Sequence, residues 1–280
     1  MELFRIIKSD AKRAMHFCGG RSVASAIIIL LACLMINLAE SALLLVFSEP
    51  GNIFENLYGN SPESIAVVSG MAFVWLLLIP ALFLGYKKLH FSFAEGKDES
   101  ISVLFDMFSS FKKFIGSFFF AFAYIIRYAV VFSFAILPGG AFLWFSEKYI
   151  PENGRTSGII KISACCIAIS IIILCVFLAI IFVQRWSLAG YYKISGNGIF
   201  KSFSLSAKAT KGLCTRIIAF KCSFIGWGFL SPLILPLFWS VPYYGLSMAI
   251  FSKYLMERYE HSLAEVPFET EAKITFAEEN

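Results

Sequence analysis

The chain has 280 residues, of which 58% are hydrophobic and only 15% charged, with a net charge of +5 and a mean hydropathy of +0.74. A soluble domain carries ~25% charged residues, so a water-soluble fold is excluded. The composition instead describes an all-α, polytopic membrane helical bundle.

Met1–Arg21 is basic with an apolar stripe. Leu3, Ile6, Ile7, Ala11, Ala14, Met15 and Cys18 recur at helical spacing, with Arg5, Lys8, Lys12 and Arg13 mostly off that face. This pattern predicts an amphipathic helix lying in the membrane interface, its cations toward anionic headgroups. A signal peptide is the rival reading, but its apolar core is ~7–15 residues, whereas the following run spans positions 23–47.

Spans are expected at 23–47, 64–86, 114–137 and 159–183, each long enough for a ~30 Å hydrocarbon core at ~1.5 Å per residue. Pro80 predicts a kink. Two basic connections, 87–113 and 184–216, each hold a short amphipathic helix, near 101–111 and 199–213. The stretch 217–255 is almost entirely apolar and is divided at Pro236–Pro242, which predicts a last hairpin. The count is six transmembrane helices as three hairpins. Each hairpin follows a cytoplasmic-side interfacial helix, opening with SDAKRAMHFCGG, SSFKKFIGS or SAKATKGLC. The domain plan is therefore an N-terminal helix (1–21), a six-span membrane domain (22–256) and an acidic, disordered cytoplasmic tail (257–280).

Charge orients this plan. Nineteen Lys and Arg fall on one side and two on the other, which puts both termini in the cytoplasm of a cell-membrane protein. The same asymmetry, with contact to anionic lipid, accounts for the cations without nucleic acid. Seven cysteines fall in or beside spans and do not suggest a disulfide framework. His16, His90 and His261 are too scattered to suggest a metal site. No G-x-S-x-G, H-E-x-x-H or P-loop sequence occurs, and the expectation is a chain that is not an enzyme and carries no cofactor.

Four stretches, RWSLAGYY (185–192), SLSAKATKG (204–212), SFIGW (223–227) and LFWSVPYYGLSMAIF (237–251), with GYKKLHFSFAEGK (85–97) more weakly, resemble a known family. It is the bacterial integral membrane proteins grouped as domain of unknown function 975. The resemblance implies six spans and carries over no catalytic or binding residue. The segment ISGNG after Tyr192 is richer in glycine than the family pattern.

Charges buried in a bilayer cost ~2.5–3.5 kcal/mol and point to function by default. Glu40 and Arg127 lie at similar depth in two outward-running spans, ~10 and ~15 Å below the outer boundary at ~1.5 Å per residue. Asn37 shares the face of Glu40. The three form a candidate intramembrane polar site, either a structural ion pair or part of a solute path. Lys161 and Lys221, near span ends, are expected to snorkel to the interface. The function this supports is a non-catalytic membrane protein that binds lipid or a partner. The alternative is a small-solute transporter or exporter working through Glu40 and Arg127.

Overall fold

The computed structural model describes residues 2–47, 62–149, 155–229 and 234–264. In chain order the elements are α1 (Glu2–Phe47), α2 (Pro62–Ala94), a 3₁₀ helix (Ile101–Phe108), α3 (Phe111–Tyr149) and α4 (Arg155–Val183). They are followed by a 3₁₀ turn (Gln184–Trp186), α5 (Ala189–Ile194), α6 (Ile199–Ala209), α7 (Cys214–Cys222), α8 (Ile225–Gly228) and α9 (Ile234–Ala264). No strand occurs among the described residues. Residues 265–280 of the acidic tail lie outside the described residues, and the tail's first part is helical as the end of α9.

Four helices are long and apolar enough to cross a membrane, and they cover the four expected spans. A helix is what such runs must form in lipid, because it satisfies every backbone group within the segment. Their outer parts are bare. Leu38, Phe134 and Ile173 are 65%, 68% and 65% exposed, as lipid-facing side chains are. They stand as two hairpins. In one, Ile28, Ile29, Ala32 and Ile36 of α1 pack on Leu78, Ile79 and Leu82 of α2. In the other, α3 and α4 meet through small residues. Gly139 lies so close to the backbone of Ala168 and to Ile172 that a Cβ would collide with both, the close approach that small residues permit between membrane helices.

The core sits at the other end, where the basic connections gather. Phe220, Phe251, Leu89, Leu104, Leu188, Ile217 and Leu246 are almost wholly buried there. The lower half of α1 is part of this block, which corrects the expectation of an interfacial helix. α1 runs unbroken for 46 residues, ~69 Å at ~1.5 Å per residue. Of the predicted stripe, Ile7, Ala11, Met15 and Cys18 are buried, but against α9 and the end of α2, while Ile6 is 51% exposed. The amphipathic pattern was real; its apolar partner is protein.

The closing stretch also departs from expectation. Cys214–Cys222 and Ile225–Gly228 hold nine and four residues, ~13 and ~6 Å of helix, too short for a ~30 Å core. α9 runs antiparallel to α1, with Phe251 against Phe4 and Tyr243 donating to the Lys8 carbonyl at 3.3 Å. Its start at Ile234 lies seven residues, ~10 Å, beyond Val241, whose carbonyl accepts from Tyr86 at 3.2 Å. α9 thus begins a short way above the block. Part of its apolar surface is buried in protein, with Leu246 and Ala249 fully covered, whereas Trp239 and Val241 are 49% and 39% exposed. Within the two basic connections lie a 3₁₀ helix at Ile101–Phe108 and α6 at Ile199–Ala209, each shorter than the helix expected there, and Gly196, with φ of 89°, ends α5 in the left-handed conformation glycine tolerates.

Candidate functional site

The site is assembled at the top of the packed block. The end of α2 supplies Tyr86, Lys87 and His90. His90 is 1% exposed. Its Nδ1 lies 2.9 Å from the Tyr86 carbonyl and must donate to it. Nε2 then accepts from the Ser22 hydroxyl of α1 at 2.6 Å. One neutral tautomer satisfies both nitrogens and bolts α1 to α2.

The turn after α4 is held by α6. Ser206 and Thr210 both donate to the Arg185 carbonyl, at 2.7 and 3.1 Å, and Ser206 Oγ accepts from the Leu188 amide at 3.2 Å. These residues come from two of the stretches that carry the family resemblance, so RWSLAGYY and SLSAKATKG are two halves of one joint. SFIGW and LFWSVPYYGLSMAIF likewise meet, with Phe224 stacking edge-on to Tyr244 at 5.3 Å.

Between these parts lies a cavity of about 220 Å³, lined by Tyr86, Lys87, His90, Ser187, Tyr191, Lys221, Tyr244 and Gly245 among others. Two cations face it and no carboxylate does. Lys221 Nζ donates to Gln184 Oε1 at 2.6 Å. Lys87 Nζ lies over the rings of Phe83 and Tyr191, at 5.2 and 5.3 Å. Neither lysine has an ion-pair partner among the described residues. Gly190 keeps Lys87 in place, since a Cβ there would come within 2.8 Å of Nζ. The Ser187 hydroxyl is buried without a hydrogen-bond partner. The cavity thus offers two ammonium groups and one spare hydroxyl in a rim of tyrosines, and its chemistry suits an anion. It shares Phe83, Lys87 and Tyr124 with an apolar groove of about 320 Å³ between α2 and α3, bounded by Trp75, Ile79, Pro80 and Ile125.

The polar site anticipated from depth is not assembled. Arg127 donates to the Ala123 carbonyl at 3.0 Å, and its guanidinium stacks 4.0 Å from the Phe203 ring centre, so α6 takes up its charged face. Glu40 makes no ion pair with it. α1 packs on α2 and α9, whereas α3 packs on α4 and α2, so equal depth does not bring the two side chains together. Asn37 donates to the Cys33 carbonyl of its own helix at 2.8 Å. Lys221 turns inward to Gln184 rather than toward the interface.

Neither a curated protein nor a solved structure matches the chain. A family profile described as "Protein of unknown function (DUF975)" matches residues 7–259, a range that takes in nearly all of the packed block and of the four long apolar helices. The chain belongs to this family, DUF975.

Proposed function

We propose that the chain is a non-catalytic integral protein of the cell membrane, with both termini cytoplasmic, whose cavity holds a membrane lipid. The observation that carries this reading is the shared wall of Phe83, Lys87 and Tyr124, which joins a polar cavity to an apolar groove on the membrane-spanning part of α2. A polar pocket opening onto an apolar channel fits an amphiphile better than a soluble solute. Lys87 directly follows the apolar run of α2, the level at which headgroups meet hydrocarbon.

In this reading four helices cross the bilayer and the closing hairpin enters only part of it. A six-span arrangement would need α7 and α9 each to cross, and α7 is too short. The charge asymmetry sets the packed block on the cytoplasmic side, where its cations meet anionic headgroups. A transport path through Glu40 and Arg127 has less support, because Arg127 is engaged by Phe203.

Native mass spectrometry of protein extracted gently, with no lipid added, tests the reading. The expected spectrum shows the chain with one retained lipid, released chemically unchanged. A chain that carries no lipid in any mild detergent overturns it.

A further inference from the structure

We infer that the lipid in this cavity is an anionic phospholipid of the cytoplasmic leaflet, its phosphate held between Lys87 and Lys221 and one acyl chain lying along the α2–α3 groove. The inference rests on the lipid-binding reading above and adds the charge and placement of the occupant.

The first argument is the uncompensated charge. Ammonium groups that leave water need a counter-charge or full hydrogen bonding. Lys221 has one neutral acceptor, Gln184. Lys87 has aromatic faces only and makes no hydrogen bond among the described residues. Two like charges facing one cavity destabilise each other. A phosphate between them removes both costs and gains charge-assisted hydrogen bonds.

The second argument is that the arrangement is built. A free lysine side chain extends to water. Here Lys87 lies between Phe83 and Tyr191 and against Gly190, where any side chain would displace it. The unpartnered Ser187 hydroxyl in the same wall adds a neutral donor suited to a phosphate oxygen.

The third argument is dimension. The cavity of about 220 Å³ falls below the ~300–1,000 Å³ of sites that enclose a whole ligand, and suits a headgroup whose remainder lies elsewhere. The groove begins at Lys87 and runs up α2 to Trp75. Those twelve residues span ~18 Å, close to half of a ~30 Å hydrocarbon core, which is the reach of a chain from one leaflet.

Trp75 reports on the groove. The experiment places the full chain in nanodiscs of phosphatidylcholine with increasing brominated phosphatidylglycerol, or brominated phosphatidylcholine as the zwitterionic control. Bromine quenches a nearby indole, and subtracting the Trp75→Phe signal isolates Trp75. The expected result is quenching by phosphatidylglycerol at about tenfold lower mole fraction than by phosphatidylcholine, as a charge-assisted contact implies. Lys87→Gln with Lys221→Gln abolishes that preference, and Lys87→Arg retains most of it. Gly190→Ala, which displaces Lys87 without changing charge, weakens it.

Equal quenching by both lipids overturns the inference while leaving the lipid-binding reading intact. So does a preference that survives the double lysine variant. If the double variant does not fold, the wild-type preference is measured with inorganic phosphate added instead. A preference that phosphate leaves in place sustains the inference. One that millimolar phosphate erases assigns the site to a soluble anion and overturns it. Absence of retained lipid by native mass spectrometry fells the broader reading as well.

Discussion

The Arg185 carbonyl shows how much can hang on a single acceptor. Two hydroxyls, from Ser206 of α6 and from Thr210 at its C-terminal cap, close on it, and Ser206 and Thr210 have no exposed surface. Replacing both by Ala and Val leaves a buried carbonyl without these donors, which costs roughly 1–3 kcal/mol. Thermal unfolding in detergent is expected to show a lower Tm for the double variant than for either single one. Asp106 makes a second, pH-dependent case. It accepts from Lys88 of α2 and Lys113 of α3, each at 2.8 Å. Burial opposes its ionisation, but the hydrogen bonds and charges of the two lysines outweigh this and hold its pKa below the usual carboxylate value. A depressed pKa contributes stability that is complete above the unfolded value of ~3.9 and is lost as pH falls through the lower folded value. Asp106→Asn is therefore expected to lower Tm at neutral pH, with the difference from wild type closing below pH ~4. Such residues were hard to read from sequence. Lys87 counted only as a cytoplasmic cation, and nothing in the order of residues brings Lys221 to the same cavity. The nearest signal was Gly190 inside RWSLAGYY, a small residue among bulky ones that marked a close approach without saying to what.

Elements were easier to read where the local pattern decides them. Long apolar runs form helices in lipid whatever their neighbours do, and α1 to α4 stand where hydropathy put them. Pairing was less legible. Depth along a helix says nothing about which face meets which neighbour, and that is why Glu40 and Arg127 matched on paper and not in space. The α3–α4 contact is a case where packing is decided by one absent atom. Gly139→Val introduces a side chain where Ala168 and Ile172 leave no room, and overpacking costs ~1–3 kcal/mol. Gly140 has nothing within 4 Å of its would-be Cβ, so Gly140→Val is the matched control. A cysteine pair across α3 and α4, crosslinked in membranes, is expected to react less in the first variant and unchanged in the second.

The whole molecule divides into a packed block, where the basic connections gather, and two apolar hairpins, a division that composition alone conceals. Side chains that face lipid and side chains that face a protein core are equally apolar, so 217–255 read as two crossings although Ile217, Phe220, Leu246 and Phe251 lie in the protein core. An accessibility experiment separates the two. In a background without native cysteines, Trp239→Cys is expected to resist a membrane-impermeant maleimide added from outside, whereas Gly51→Cys reacts. Labelling of both from outside would restore a closing hairpin that crosses fully. The 46-residue α1 has one further consequence. Its lower half is clamped by α9 and α2, and its upper half leans mainly on α2. A beam fixed at one end and loose at the other concentrates bending stress at its fixture, which here is the Ser22–His90 bolt. Any tilt of the α1–α2 hairpin therefore delivers its torque one helical turn from Tyr86 and Lys87, at the wall of the cavity.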